Sequence, residues 1–250
     1  MPGDLVTTAF AAFLVFARVG AMLMLLPGIA EPGVPPRIRL TFAILVSLVL
    51  APNLAPLFPP MPEDTFPLAG LIIQEVLVGL GFGAVLRMVL GAITVAGQII
   101  SMQTGLAMAQ ALDPSLGTQS ALIGAFLSVT ATAFIFATGL HLVFIAGVAG
   151  VYQIVPPGVD IMVGDFAEMA IMTFVSAFRV GVQMAAPVIV FGLVFNLSLG
   201  VLSRLMPQAQ IFFIGMPLTI LMGMAILSAT LGAALILWAD FARDVAMELV

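Results

Sequence analysis

The stretch from Leu68 to Ile100 reads LAGLIIQEVLVGLGFGAVLRMVLGAITVAGQII, thirty-three residues holding only two charges, Glu75 and Arg87. A bilayer's hydrocarbon core is about 30 Å thick and is crossed by about 20 apolar helical residues. Membrane β-barrel strands alternate apolar and polar side chains over segments of about 10 residues, and this run does neither. It predicts a membrane helix. At about 1.5 Å per residue such a helix reaches about 50 Å, so it must tilt, kink, split or extend beyond the bilayer.

Working outward, five more apolar stretches flank it: about Leu5 to Leu26, Ile38 to Leu50 or on to Phe58, Ala121 to Val155, Met169 to Leu202, and Ile211 to Trp238. Pro27-Gly28, the connector with Pro32, Gly33, Pro35 and Pro36, and Pro156-Pro157-Gly158 punctuate them, since proline cannot continue a helix ladder. Gly139-Leu140-His141 and Pro187 are the natural break points inside the two longest later stretches. The reading is a single all-α membrane domain, residues 1–250, polytopic, with about six long and partly broken hydrophobic helices.

Composition agrees. The chain is 62% hydrophobic and 8% charged, with a mean hydropathy of +1.27, whereas soluble domains carry about 25% charged residues. Its seven basic residues are all arginine, and the formal net charge is −5, so there is no basic patch for nucleic acid. Without cysteine, thiolate metal sites and thiol nucleophiles are impossible. The N-terminus has Asp4 where a cleavable signal needs positive charge, and the first apolar run exceeds a typical signal core. The first span is expected to persist. Arginines in loops one and five (Arg37, Arg39, Arg204), against acids in loops two and four, put the N-terminus outside the cytoplasm by the positive-inside rule.

Catalytic chemistry has almost no material. His141 is the single histidine, no G-x-S-x-G elbow exists, and a helix-break residue bonded to backbone is the plain reading of His141 against a metalloenzyme one. No enzyme, metal or cofactor is expected. The intramembrane charges are Arg18, Glu75, Arg87 and Arg179, and each needs a partner or water, because a lone charge at bilayer depth costs about 2.5–3.5 kcal/mol. Glu75 and Arg87 are about 18 Å apart along one helix and cannot pair. Glu75 is either a proton relay of a carrier or a residue at a helix end or subunit contact. Gly79, Gly83, Arg87 and Gly91 recur every fourth residue, a stripe of the kind that lets another backbone approach closely.

The connector Ser101–Ser120 reads SMQTGLAMAQALDPSLGTQS. It is too polar for lipid and too apolar for a fully solvated loop. Two readings stand: an interfacial loop, or a re-entrant, pore-occluding element sealed by deformable methionine and leucine.

Several motifs together resemble the FliR family, the flagellar type III export-gate subunit whose injectisome counterpart is SctT. They are Arg18 followed by Pro27, Pro36-Arg37-x-Arg39, the region through Gln98, Asp113-Pro114, and His141 with Pro156-x-Gly158. More specific are Pro187, Asn196-Leu-x-Leu-Gly200, Arg204-x-x-Pro207-Gln208, Ile211-Phe212 and Gly215-x-Pro217-Leu218. The match is collinear over nearly the whole chain; the absence of lysine and the short tail depart from it. The resemblance implies a FliP-like part, 1–165, with a plug connector at about 101–120, joined to a FliQ-like helical hairpin, 166–250.

It further implies assembly with FliP and FliQ copies, with FlhB and FlhA nearby, into an inner-membrane gate of the flagellar basal body that is raised toward the periplasm and passes unfolded substrates. Met102, Gln103, Leu106, Met108, Leu112, Asp113 and Pro114 would then form the plug. Arg18, Glu75, Gly79, Gly83, Arg87, Gly91, Arg204, Pro207, Gln208 and Gln210 would face helices or neighbouring subunits, with Arg204 satisfying the last carbonyls of its helix. The rivals are an injectisome gate subunit and, in another class, a proton-coupled secondary transporter.

Overall fold

A computed structural model describes residues 2–105, 122–159, 163–206 and 211–249. Its regular elements are helices: α1 (Pro2–Leu23), α2 (Pro36–Leu54) with a short 3-10 turn (Ala55–Leu57), α3 (Thr65–Gln103), α4 (Leu122–Ala137), α5 (Leu140–Ile154), α6 (Val163–Leu205) and α7 (Ile211–Met247). The chain is a multi-pass, all-helical membrane protein. Among the described residues four helices are long and apolar enough to cross a bilayer, or five if the bent pair α4–α5 is one span. With α1, an apolar helix of 22 residues, and the bent pair taken as one, these correspond to the six apolar stretches of the sequence.

The fourth apolar stretch breaks at the expected place. Gly139 adopts φ +73°, a left-handed conformation that favours glycine, and α4 and α5 meet there at 77°. Pro187 behaves differently: α6 runs through it without interruption over 43 residues. One missing N–H removes a single rung, while the ladder on either side remains whole, and such prolines are tolerated in membrane helices. The charged tail also proves helical. α7 continues to Met247, and Ala242, Val245, Ala246 and Leu249 are buried.

Two compact units divide the chain. Unit 1 comprises Met1–Val89, Ile135–Phe174 and Ala242–Val250. Its core is built from Leu14, Val15, Val19 and Met22 of α1, Val78, Phe82, Val85 and Leu86 of α3, and Phe144, Val148 and Val151 of α5. Phe82 meets Phe166 edge-on at 5.5 Å between ring centres, and Gly147 of α5 leaves room for Ala246 and Leu249.

Unit 2 comprises Leu90–Phe134 and Val175–Phe241. Here α3 and α4 cross at Gly97 and Gly124: a methyl group on Gly97 would lie 2.5 Å from the α-carbon of Gly124. α6 lies against α3 at Gly181, where a methyl group would lie 2.7 Å from the carbonyl of Ala92. Ala177, Met184, Ala185 and Val188 continue that buried face of α6.

Burial is uneven among the spans. The most apolar window of α3 is 56% buried, but those of α6 and α7 are each only 17% buried. Leu193, Leu197, Val201 and Leu205 of α6, with Leu221, Met224 and Ile236 of α7, stand exposed. Such a surface is soluble only in lipid or against other proteins.

Candidate functional site

The strongest polar constellation lies within unit 1, where α1 crosses α3. Arg18 Nε donates to Glu75 Oε2 at 2.6 Å, and Nη2 donates to Oε1 at 2.9 Å. The third nitrogen, Nη1, donates to the carbonyl of Val155 at 2.6 Å, at the C-terminal end of α5. The guanidinium also lies over the Tyr152 ring, 4.3 Å from its centre, and Phe58 packs edge-on against that ring. Arg18 and Glu75 are 1% and 0% exposed.

Glycine makes this reach possible. Gly79 stands one turn after Glu75 and abuts the backbone carbonyl of Arg18, which any side chain there would displace. A methyl group on Gly83, one turn further on, would lie 3.0 Å from the carbonyl of Met22. Close backbone approach of α1 and α3 and the bidentate ion pair are therefore one arrangement. Both carboxylate oxygens are occupied and walled from solvent. The site joins three helices, and nothing about it presents a proton to water.

A second cluster fixes the proline-rich connector between α1 and α2. Arg87 Nη1 donates to Glu31 Oε1 at 2.9 Å. Arg39 donates to the carbonyl of Glu31 at 2.9 Å and to that of Val34 at 2.8 and 2.9 Å. Glu31 thus receives one arginine at its side chain and another at its backbone. The connector is tied to α3 and to the first turn of α2.

The stem of the candidate plug lies in unit 2. Thr104, wholly buried, donates through Oγ1 to the carbonyl of Ile100 at 2.9 Å, and Gly105 turns the chain with φ +75°. Gln103 and Thr104 rest on two glycines: a methyl group on Gly192 would lie 2.6 Å from Gln103 Oε1, and one on Gly223 would lie 2.5 Å from Thr104 Cγ2. The connector therefore departs from a fixed point between α6 and α7. Met102 is 73% exposed. Leu106, Met108, Leu112, Asp113 and Pro114, and also Pro207, Gln208 and Gln210, lie outside the described residues.

The other candidates fall in separate places. Around Gly91, the last member of the stripe, a methyl group would meet nothing within 4 Å among the described residues, so within this chain the close contacts of the stripe are at Gly79 and Gly83. Arg204 is exposed in the last turn of α6. Among the described residues it makes no hydrogen bond to the terminal carbonyls; Met206 N–H donates to the carbonyl of Leu202 instead. His141 Nδ1 lies 3.4 Å from the carbonyl of Ile135 and its ring packs beside Phe136. Among the described residues no cluster of three metal-ligating side chains occurs.

Sequence reasoning missed Tyr152 and Val155 as partners of the buried Arg18, Glu31 as a partner of Arg87 and Arg39, and Gly97, Gly124, Gly181, Gly192 and Gly223 as contact points. The usable signal was a chemical complement: one arginine in the apolar run of α1 and one acid in that of α3.

The family described as "Bacterial export proteins, family 1" matches residues 9–245. The chain belongs to the FliR family. The flagellar biosynthetic protein FliR of Caulobacter vibrioides is 45% identical over 235 residues, 94% of each chain. That of Bacillus subtilis is 31% identical over 84% of this chain and 82% of its own. The Escherichia coli FliR is 30% identical over 85% of this chain and 80% of its own. As a member of the FliR family the chain is a structural component of an export apparatus and not an enzyme.

Proposed function

We propose that the chain is a subunit of the flagellar type III export gate in the bacterial inner membrane. With FliP and FliQ copies, and FlhB and FlhA alongside, it completes a channel through which unfolded flagellar proteins leave the cell. Residues 1–165 serve as the FliP-like part and 166–250 as the FliQ-like hairpin. The connector 101–120 closes the pore until a polypeptide is engaged.

The observation that carries this reading is the family match over residues 9–245, with a flagellar relative 45% identical across 94% of each chain. The flagellar names of these relatives favour it over an injectisome subunit. The barely buried spans α6 and α7 support it, since apolar faces of that extent suit packing among sister subunits. The stem at Thr104 and Gly105 supports the plug assignment, because a closure element needs a fixed base. Occupancy of both Glu75 oxygens by Arg18 argues against a proton-coupled carrier.

Purification of the tagged chain from its own cells in mild detergent tests the reading. FliP and FliQ are expected in the same particle. A solitary monomer or homo-oligomer would overturn it.

A further inference from the structure

α6 carries an arginine that makes no ion pair among the described residues. Arg179 stands sixteen residues after Val163 and twenty-six before Leu205, about 24 and 39 Å from the two helix ends. It is exposed on unit 2, on the side of α6 away from the buried residues Ala177, Met184 and Val188. Gln183, one turn further on, is exposed on the same side, and Val175, Phe178 and Val190 around them are exposed and apolar. Among the described residues Arg179 has no ion pair, whereas Arg18 and Arg87 each have a carboxylate.

Among the described residues the acids of its own helix lie eleven or more residues before it. Asp165 and Glu168 lie in the opening turns of α6, Asp240 and Asp244 near the end of α7, and Glu63 and Asp64 before α3. A bare guanidinium against lipid is costly, and it is planar, permanently charged and suited to bidentate carboxylate recognition. A headgroup phosphate fits the surroundings less well. The next cation on α6 is Arg204, seven turns away, and the nearest polar companion is a neutral amide.

We infer that Arg179, assisted by Gln183, is a docking point for an aspartate or glutamate within a membrane-spanning helix of a partner gate subunit. The contact reproduces between subunits the pairing that Arg18 and Glu75 make within the chain. This rests on the gate reading above.

The test uses the full chain in its own cells with the partner subunits at native levels. Arg179→Glu is expected to lower the FliP and FliQ recovered per tagged chain by about tenfold or more, while Arg179→Lys retains most of it. An acid-to-arginine change in a partner span should restore assembly of Arg179→Glu. Because the chain contains no cysteine, Gln183→Cys bearing benzophenone maleimide gives a second measurement that leaves Arg179 intact. Irradiation should join it to a partner peptide beside an acidic residue.

Wild-type recovery of partners by both Arg179→Glu and Arg179→Leu would overturn the inference. So would a photo-adduct with lipid alone, or normal assembly with impaired export, which would place Arg179 along the substrate path. Failure of the unaltered chain to bring down FliP and FliQ would instead overturn the gate reading.

Discussion

The guanidinium of Arg18 holds both carboxylate oxygens of Glu75, fifty-seven residues away in sequence, at 2.6 and 2.9 Å inside a fully buried crossing of α1 and α3. Both charges are removed from water, so neither can be deleted alone without stranding the other. Glu75→Gln or Arg18→Met should therefore destabilise unit 1 by about 3–5 kcal/mol, read as lower membrane accumulation and easier thermal unfolding in detergent. The double change Arg18→Met with Glu75→Met should recover much of that loss and retain flagellar export. A carrier using Glu75 as its proton relay would lose function in the double variant as completely as in the single one.

Gly83 and Gly91 belong to one four-residue repeat but meet different surroundings. Gly83→Leu forces side-chain atoms into the backbone of Met22, an overpacking that costs about 1–3 kcal/mol or more. The chain's own level in the membrane should fall. Gly91→Ala, with open space around it, should accumulate as wild type. Equal behaviour of the two variants in quantitative immunoblots would show that the α1–α3 crossing does not depend on the missing side chain.

How much of this was legible in the sequence depends on what each residue must touch. The long helices were readable because apolar runs have one physical solution in a bilayer. The break at Gly139 was readable because a left-handed residue has a compositional signature. Pairing of Arg18 with Glu75 was not, since two isolated charges say only that each needs a partner. The repeat at Gly79 and Gly83 marked a seam without saying that α1 fills it. Gly192 and Gly223 gave no signal, because their importance comes from Gln103 and Thr104, remote in sequence. The helix of the tail gave no apolar signal, because Asp240, Arg243 and Asp244 make it polar on one side while Ala242, Val245 and Ala246 pack on the other.

The stem supplies a sharper expectation. Gly223→Val places side-chain atoms where Thr104 Cγ2 now sits, 2.5 Å from a methyl position. Strain of about 1–3 kcal/mol in the closed state, relieved on opening, raises the open population about 5- to 150-fold. Cells expressing the variant should leak small ions or a small dye while the purified complex keeps its composition. A tight membrane with an intact complex would mean that Thr104 does not set the position of the connector.

Glu31 offers a local test. Its carboxylate holds Arg87 and its carbonyl holds Arg39, so Glu31→Gln removes one of two ties. The Arg87–Glu31 pair is partly exposed, with side chains 39% and 15% accessible, and such pairs contribute about 1 kcal/mol or less. A small loss of thermal stability is expected, much smaller than for Glu75→Gln. A loss equal to that of Glu75→Gln would show that the connector, rather than the α1–α3 crossing, limits the stability of unit 1.

The central claim is that one connector of this chain holds an export conduit shut. It is tested most directly by deleting the middle of Leu106–Leu116 and measuring ionic conductance across membranes that carry the complete complex. The account predicts unchanged recovery of the partner subunits together with a conductance well above that of the wild type. Unchanged recovery with wild-type conductance would contradict it.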